Sequence, residues 1–98
     1  MLGNMMEQLQ QMKQKMEETK NRLETITVDG TAANGKIIVT MSGNRKVKNV
    51  SIAEDLQISD REEMEDFLVI AFNHALEQAG KINEAEMQGA AMGFLPGM

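Results

Sequence analysis

The 98-residue chain has no cysteine, no tryptophan and no tyrosine, and it has one proline and one histidine. Without cysteine there is no disulfide framework, no thiol nucleophile and no thiolate-bound metal. Nothing in the composition calls for an oxidising compartment. Three phenylalanines make up the aromatic content, so there is no platform on which single-stranded bases would stack. No apolar run reaches the length of a membrane span. Glu7, Gln8, Gln10 and Gln11 interrupt any secretory h-region, and the expectation is a soluble, cytoplasmic protein without a membrane partner. There is no glycine-rich phosphate loop. His74 has no nucleophile, orienting acid or metal cluster indicated near it, and it reads as a helix-surface histidine. We therefore expect no catalytic residue, no metal, no cofactor and no small-molecule substrate, which is to say no enzyme.

What is present is charge, unevenly spread. The net charge is −5. Residues 1–50 carry eight cations against five acids, a net of +3, whereas residues 51–98 carry only Arg61 and Lys81 against ten acids, a net of −8. Such asymmetry marks a polar interaction surface, and the face that carries the charge matters more than the total.

The pattern along the chain is α-β-β-β-α, an α+β domain spanning 1–98. Residues 3–25, within an arm segment 1–26, are free of internal proline and glycine after Gly3, and their apolar positions recur at helical spacing. A helix of that length is roughly 35 Å long, more than a core this small can cover. Residues 26–52 read as a three-stranded antiparallel meander. Ile26 and Val28 open a strand that Asp29-Gly30 ends. Asn34-Gly35 marks a turn, Ile37, Val39 and Met41 share a face, Gly43-Asn44 fits a two-residue hairpin loop, and Val50 and Ile52 share a face. Residues 59–88 form a second helical region opened by a Ser59/Glu62 capping box, with Gly80 as an end or a weak point. Residues 89–98, Gly-rich and holding the only proline, read as a flexible tail. One helix over a three-stranded sheet leaves a sheet face open, and the second helix is apolar on more than one face. Together these argue for a homodimer.

The first helix contains a heptad seam: Leu2, Met5, Leu9, Met12, Met16, Thr19, Leu23 and Ile26. Its flanking positions are Met6, Lys13 and Lys20 on one side and Gln8, Lys15 and Arg22 on the other. A parallel coil of this helix with itself would set like charges across the seam. Three readings remain: the seam packs on a helix flanked by acids, its basic flanks face a polyanion, or the charges are simply solvated and form pairs such as Glu18–Arg22. The methionines share their face with leucines and read as pliable packing rather than soft-metal ligands. The acids of "DREEMED" suit a helix start better than a cation site.

The segments "MMEQLQQMKQKMEE", "GKIIVTMSGNRKVKNVSI", "EDFLVIAFNHALEQA" and the closing "LPGM" resemble, in order and spacing, the YbaB/EbfC family of bacterial nucleoid-associated proteins. "AFNHA" and "VTMSGNRKVKNVSI" are the most specific pieces. The sequence departs from the family at "IAEDLQ", where relatives commonly have an acid followed by proline, and in its strongly acidic C-terminal half. The resemblance implies a non-enzymatic homodimer with protruding helices that binds double-stranded DNA with low sequence specificity in the nucleoid. The candidate DNA-binding cations are those on the flanks of the seam, Lys13, Lys15, Lys20 and Arg22, with Arg45, Lys46 and Lys48 on the hairpin as a second candidate surface. The competing expectation is a protein-interaction module that uses the Met-rich seam and the apolar tail.

Overall fold

Five elements follow one another along residues 2–92, the part of the chain that the computed structural model describes. They are α1 (Leu2–Thr25), β1 (Thr27–Ala32), β2 (Ile37–Ser42), β3 (Val47–Ile52) and α2 (Arg61–Met92). The strands form one antiparallel sheet in the order β1-β2-β3, so the α+β meander expected from the alternation is the observed architecture.

The core is built where β1 and β2 meet α2. Ile37, Val39 and Met41 turn one face of β2 into the protein and are fully buried, as are Ala71, Ala75 and Ala79 on α2. The alanines recur every four residues, so they form a stripe of small side chains that lets the helix come close to the sheet. It comes closest at Gly30, where a Cβ would lie 2.2 Å from the Ala71 carbonyl oxygen and the Ala75 nitrogen. Gly30 therefore does not end β1. The strand continues to Ala32, and the glycine marks a close approach of helix backbone.

Of the two loops, one turns where expected and the other corrects an expectation. Asn34-Gly35 does turn the chain, but within a four-residue connection, 33–36, in which Ala33, Asn34 and Gly35 all have positive φ. The second hairpin closes where Ser42 N–H donates to the Lys46 carbonyl, so its loop has three residues, Gly43–Arg45, rather than two. The left-handed position falls to Arg45 (φ 65°). Gly43 serves packing instead, since a Cβ there would lie 2.7 Å from Leu23 Cδ2.

The capping of α2 is shifted by one residue from the expected Ser59/Glu62 pair. Asp60 Oδ1 accepts from Glu63 N–H at 2.8 Å, and the Glu63 carboxylate accepts from Ser59 in return. α2 runs unbroken through Gly80. Residues 89–92, expected in a flexible tail, form its last turn, and 93–98 lie outside the described residues. His74 is not a plain surface residue. Its Nδ1 accepts from Thr31 N–H at 2.9 Å, and this satisfies a backbone donor on the free edge of β1.

Helix α1 returns past the sheet and lies along the C-terminal half of α2. Leu23 and Thr19 are buried there, and Arg22 pairs with Glu86. Toward its N-terminus α1 leaves this contact and projects. The molecule measures 67 × 21 × 18 Å with a radius of gyration of 18.9 Å, against about 13 Å for a compact chain of this length.

Candidate nucleic-acid interface

Helix α1 has Lys13, Lys15, Lys20 and Arg22 against Glu7, Glu17, Glu18 and Glu24. The arm is neutral in total and is basic only where its faces sort the charges. Residues seven apart share a face, so the four cations fall into two pairs, Lys13 with Lys20 and Lys15 with Arg22, one on each flank of the seam.

The two flanks have different neighbours. Lys15 and Arg22 line a groove between the helices together with Thr19, Ala85, Glu86 and Ala90, and Arg22 is engaged there by Glu86. The other flank meets the tip of the β2–β3 hairpin. Asn44 Nδ2 donates to the Lys20 carbonyl at 2.8 Å and to Glu24 Oε1 at 2.9 Å. Gly43 N–H donates to the carbonyls of Leu23 and Ile26 at the end of α1. From the far side, Asn83 of α2 donates to the Gly43 carbonyl at 3.0 Å. The hairpin tip is thus clamped between the two helices, and it brings its own cations beside Lys20.

Glu24 organises this junction. Lys48 Nζ lies 2.6 Å from Glu24 Oε2. Hydrogen bonds from Lys48 and Asn44, aided by the nearby charge of Lys46, hold the carboxyl down at about 2, from an ordinary 4.5. Lys48 reaches Glu24 from an irregular position. Thr40 pairs with Asn49 while Met41 pairs with Val47, which leaves Lys48 as the extra residue of a β-bulge and re-aims it.

Of the seven cations singled out by sequence, the structure gathers Lys13, Lys20, Lys46 and Lys48 along one side of the arm and its junction. Lys15 and Arg22 lie on the opposite flank. Arg45 lies over α2, with its guanidinium 3.6 Å from where a Cβ on Gly80 would sit. Among the described residues, Lys13, Lys15, Lys20, Arg45 and Lys46 make no ion pair, whereas Arg22 and Lys48 are each held by a carboxylate. Sequence reasoning did not pick out Glu24, Asn44 and Asn83. Glu24 lies seven residues after Glu17 on the outer face of the heptad, and nothing in the local pattern signals a hairpin docking there.

A second feature of the surface is apolar. Val50 and Ile52 pair with Val39 and Ile37 and so lie on the same sheet face as the core, yet they are 40% and 44% exposed. The flank of α2 that meets the hairpin through Asn83 carries exposed Leu76 and Val69 at seven-residue steps. Val47, 48% exposed, pairs with Met41 and shares that sheet face, so large apolar side chains stand open both on β3 and on this flank of α2. Among the described residues no helix is long and apolar enough to cross a membrane, and no group of His, Asp and Glu could hold a metal ion.

The model of the YbaB/EbfC DNA-binding family matches residues 1–94. A nucleoid-associated protein of Flavobacterium johnsoniae is 41% identical over 100 aligned residues, covering 99% of this chain and 93% of that protein. A nucleoid-associated protein of Chlorobium phaeobacteroides is 39% identical, covering 97% of this chain and 85% of that protein. Among solved structures, an uncharacterised Helicobacter pylori protein superposes with a TM-score of 0.65 at 20% identity, over 89% of this chain and 98% of that one. At that identity the likeness concerns the fold alone.

Proposed function

This chain belongs to the YbaB/EbfC DNA-binding family, and from that premise we propose that it is a non-enzymatic, nucleoid-associated protein that binds duplex DNA as a homodimer with little sequence preference. The observation that carries the reading is the basic ridge formed by Lys13 and Lys20 on the projecting helix and Lys46 on the hairpin at its base, each exposed and without a carboxylate partner among the described residues. Cations of this kind meet phosphates, which fix position but carry no sequence information. Every neutralised phosphate releases counterions, so binding weakens steeply with salt. The acidic N-terminal turns of α2 repel the same polyanion and keep it on the arm side. Localisation follows the DNA, in the nucleoid of the cytoplasm.

The dimer uses the exposed apolar side chains of β3 and α2. Val47, Val50 and Ile52 with Val69 and Leu76 give a self-complementary apolar patch of the kind a two-fold interface needs. A second copy completes the sheet-on-helix layer that α2 alone leaves half covered.

A gel-shift series with duplex DNA, single-stranded DNA and RNA, run beside light scattering on a sizing column, tests both parts. Duplex binding at low salt by a species of twice the 10.9 kDa chain mass is expected. Absence of duplex binding at 50 mM salt overturns the DNA reading, and a monomer mass at micromolar concentration overturns the dimer.

A further inference from the structure

The α1 seam is occupied along half its length. Thr19 and Leu23 are 3% and 0% exposed against α2, whereas Met5, Met6 and Leu9 are 62–63% exposed and Met12 is 40%. Four large apolar side chains on one projecting helix are more than the scattered exposed leucine or methionine of an ordinary surface. The occupied half shows what the seam accepts. There α1 takes another helix antiparallel, with Arg22 beside Glu86 and Thr19 near Ala90.

We propose that the open half of the seam docks antiparallel on the same segment of a second copy of this chain, with Leu9 of one arm opposite Met12 of the other, so that arm tips join separate molecules. Charge selects the direction. In a parallel pair, flanking positions of opposite sides meet, and Lys15 would face Lys20 of the second copy. Antiparallel, each flank meets its own kind: Lys13 lies beside Met6 of the second copy and Lys15 beside Gln8, with no like charges across. Area sets the strength. Four side chains bury about 400 Å² per copy, roughly half of what each side of a stable interface contributes. The contact is therefore weak in dilute solution and forms where molecules are concentrated, as along one duplex. It requires no DNA and stands apart from the nucleoid reading.

The chain has no cysteine, so introduced thiols are unique. In the proposed register Met5 lies opposite Met16, while two Met5 positions are offset by eleven residues, about 16 Å along the axis. Met5→Cys and Met16→Cys proteins, mixed at several hundred micromolar with a short bismaleimide, should give a linked two-chain product in several-fold excess over either variant alone. Adding Leu9→Glu to both should abolish the product and leave the thermal midpoint unchanged. Linking of Met5→Cys with itself as readily as in the mixture overturns the proposal, because it reports a parallel pair or chance collision. So does linking that survives Leu9→Glu. Thiols that label freely and become protected only by duplex DNA assign the seam to DNA instead, and thiols that neither link nor gain protection leave the seam without an occupant. Gel shifts on the same variants read DNA binding separately.

Discussion

Leu9 and Leu23 occupy equivalent positions of the α1 seam, yet Leu9 keeps 63% of its surface exposed and Leu23 keeps none. The pattern defines a face, and what covers the face depends on what lies beside it. At the base of the arm α2 supplies the cover, and the hairpin tip closes the side with Asn44 and Gly43. Toward the tip the helix runs past these neighbours. Base and tip thus divide the labour: one is a packed junction, the other a surface held out from the core.

The cations sharpen this division most, because the junction treats the two flanks differently. Replacing Lys13, Lys20 and Lys46 by Gln should cost a dimer six phosphate contacts. Such a set accounts for a loss of about 10³-fold in affinity between 50 and 200 mM salt, so the variant's salt dependence should be nearly flat. Replacing Lys15 and Arg22 should change the slope by about two at most, since Glu86 already holds Arg22. Fluorescence anisotropy across a salt series reads both slopes. Equal slopes in the two variants would mean that the flanks are equivalent and that the junction does not choose between them.

Truncation tests base against tip directly. Leu23→Ala removes a fully buried side chain beside Gly43 and α2 and should destabilise the protein by about 3 kcal/mol, within the usual span for buried leucine. Leu9→Ala should change stability by no more than about 0.5 kcal/mol. Urea unfolding followed by circular dichroism measures both. A large loss at Leu9 would mean that the tip is already covered in solution.

Much of this arrangement could be read from the residues. The heptad spacing defines α1, the apolar alternation of Ile37, Val39 and Met41 defines β2 and its buried face, and the order of the elements follows. The misreadings share one cause, which is contact between segments distant in sequence. Gly30 resembles a strand end until α2 rests on it. Gly43 resembles a turn glycine until Leu23 fills the space its side chain would need. Val50 and Ile52 alternate as core residues do, and only the width of α2 leaves them open. For the candidate site, the identity of the cations was legible and their grouping was not. Glu24 meets Asn44 across 20 residues of sequence and Asn83 meets Gly43 across 40, and no local period records that.

The smallest effect concerns Glu24, the residue that fastens the hairpin to the base of the arm. Its carboxyl is held at about 2, below an ordinary 4.5, chiefly by hydrogen bonds from Lys48 and Asn44. A carboxyl lowered on folding stabilises the fold at pH values above its unfolded value. That contribution is lost as pH falls through the folded value, so the window here runs from about 4.5 down to about 2. Glu24→Gln keeps the acceptor for Asn44 and removes the charge that Lys48 meets. The variant should therefore melt below the wild type above pH 4.5, with the gap closing as the solution is acidified. The group is partly exposed, so salt should narrow the gap as well. Thermal scans of both proteins across that pH range decide the matter. A gap that stays constant with pH would show that the Glu24 side chain secures the hairpin through shape and the Asn44 hydrogen bond rather than through its charge. The orientation of the arm would then be indifferent to the ion pair with Lys48, and Lys48 would be available to join the basic ridge.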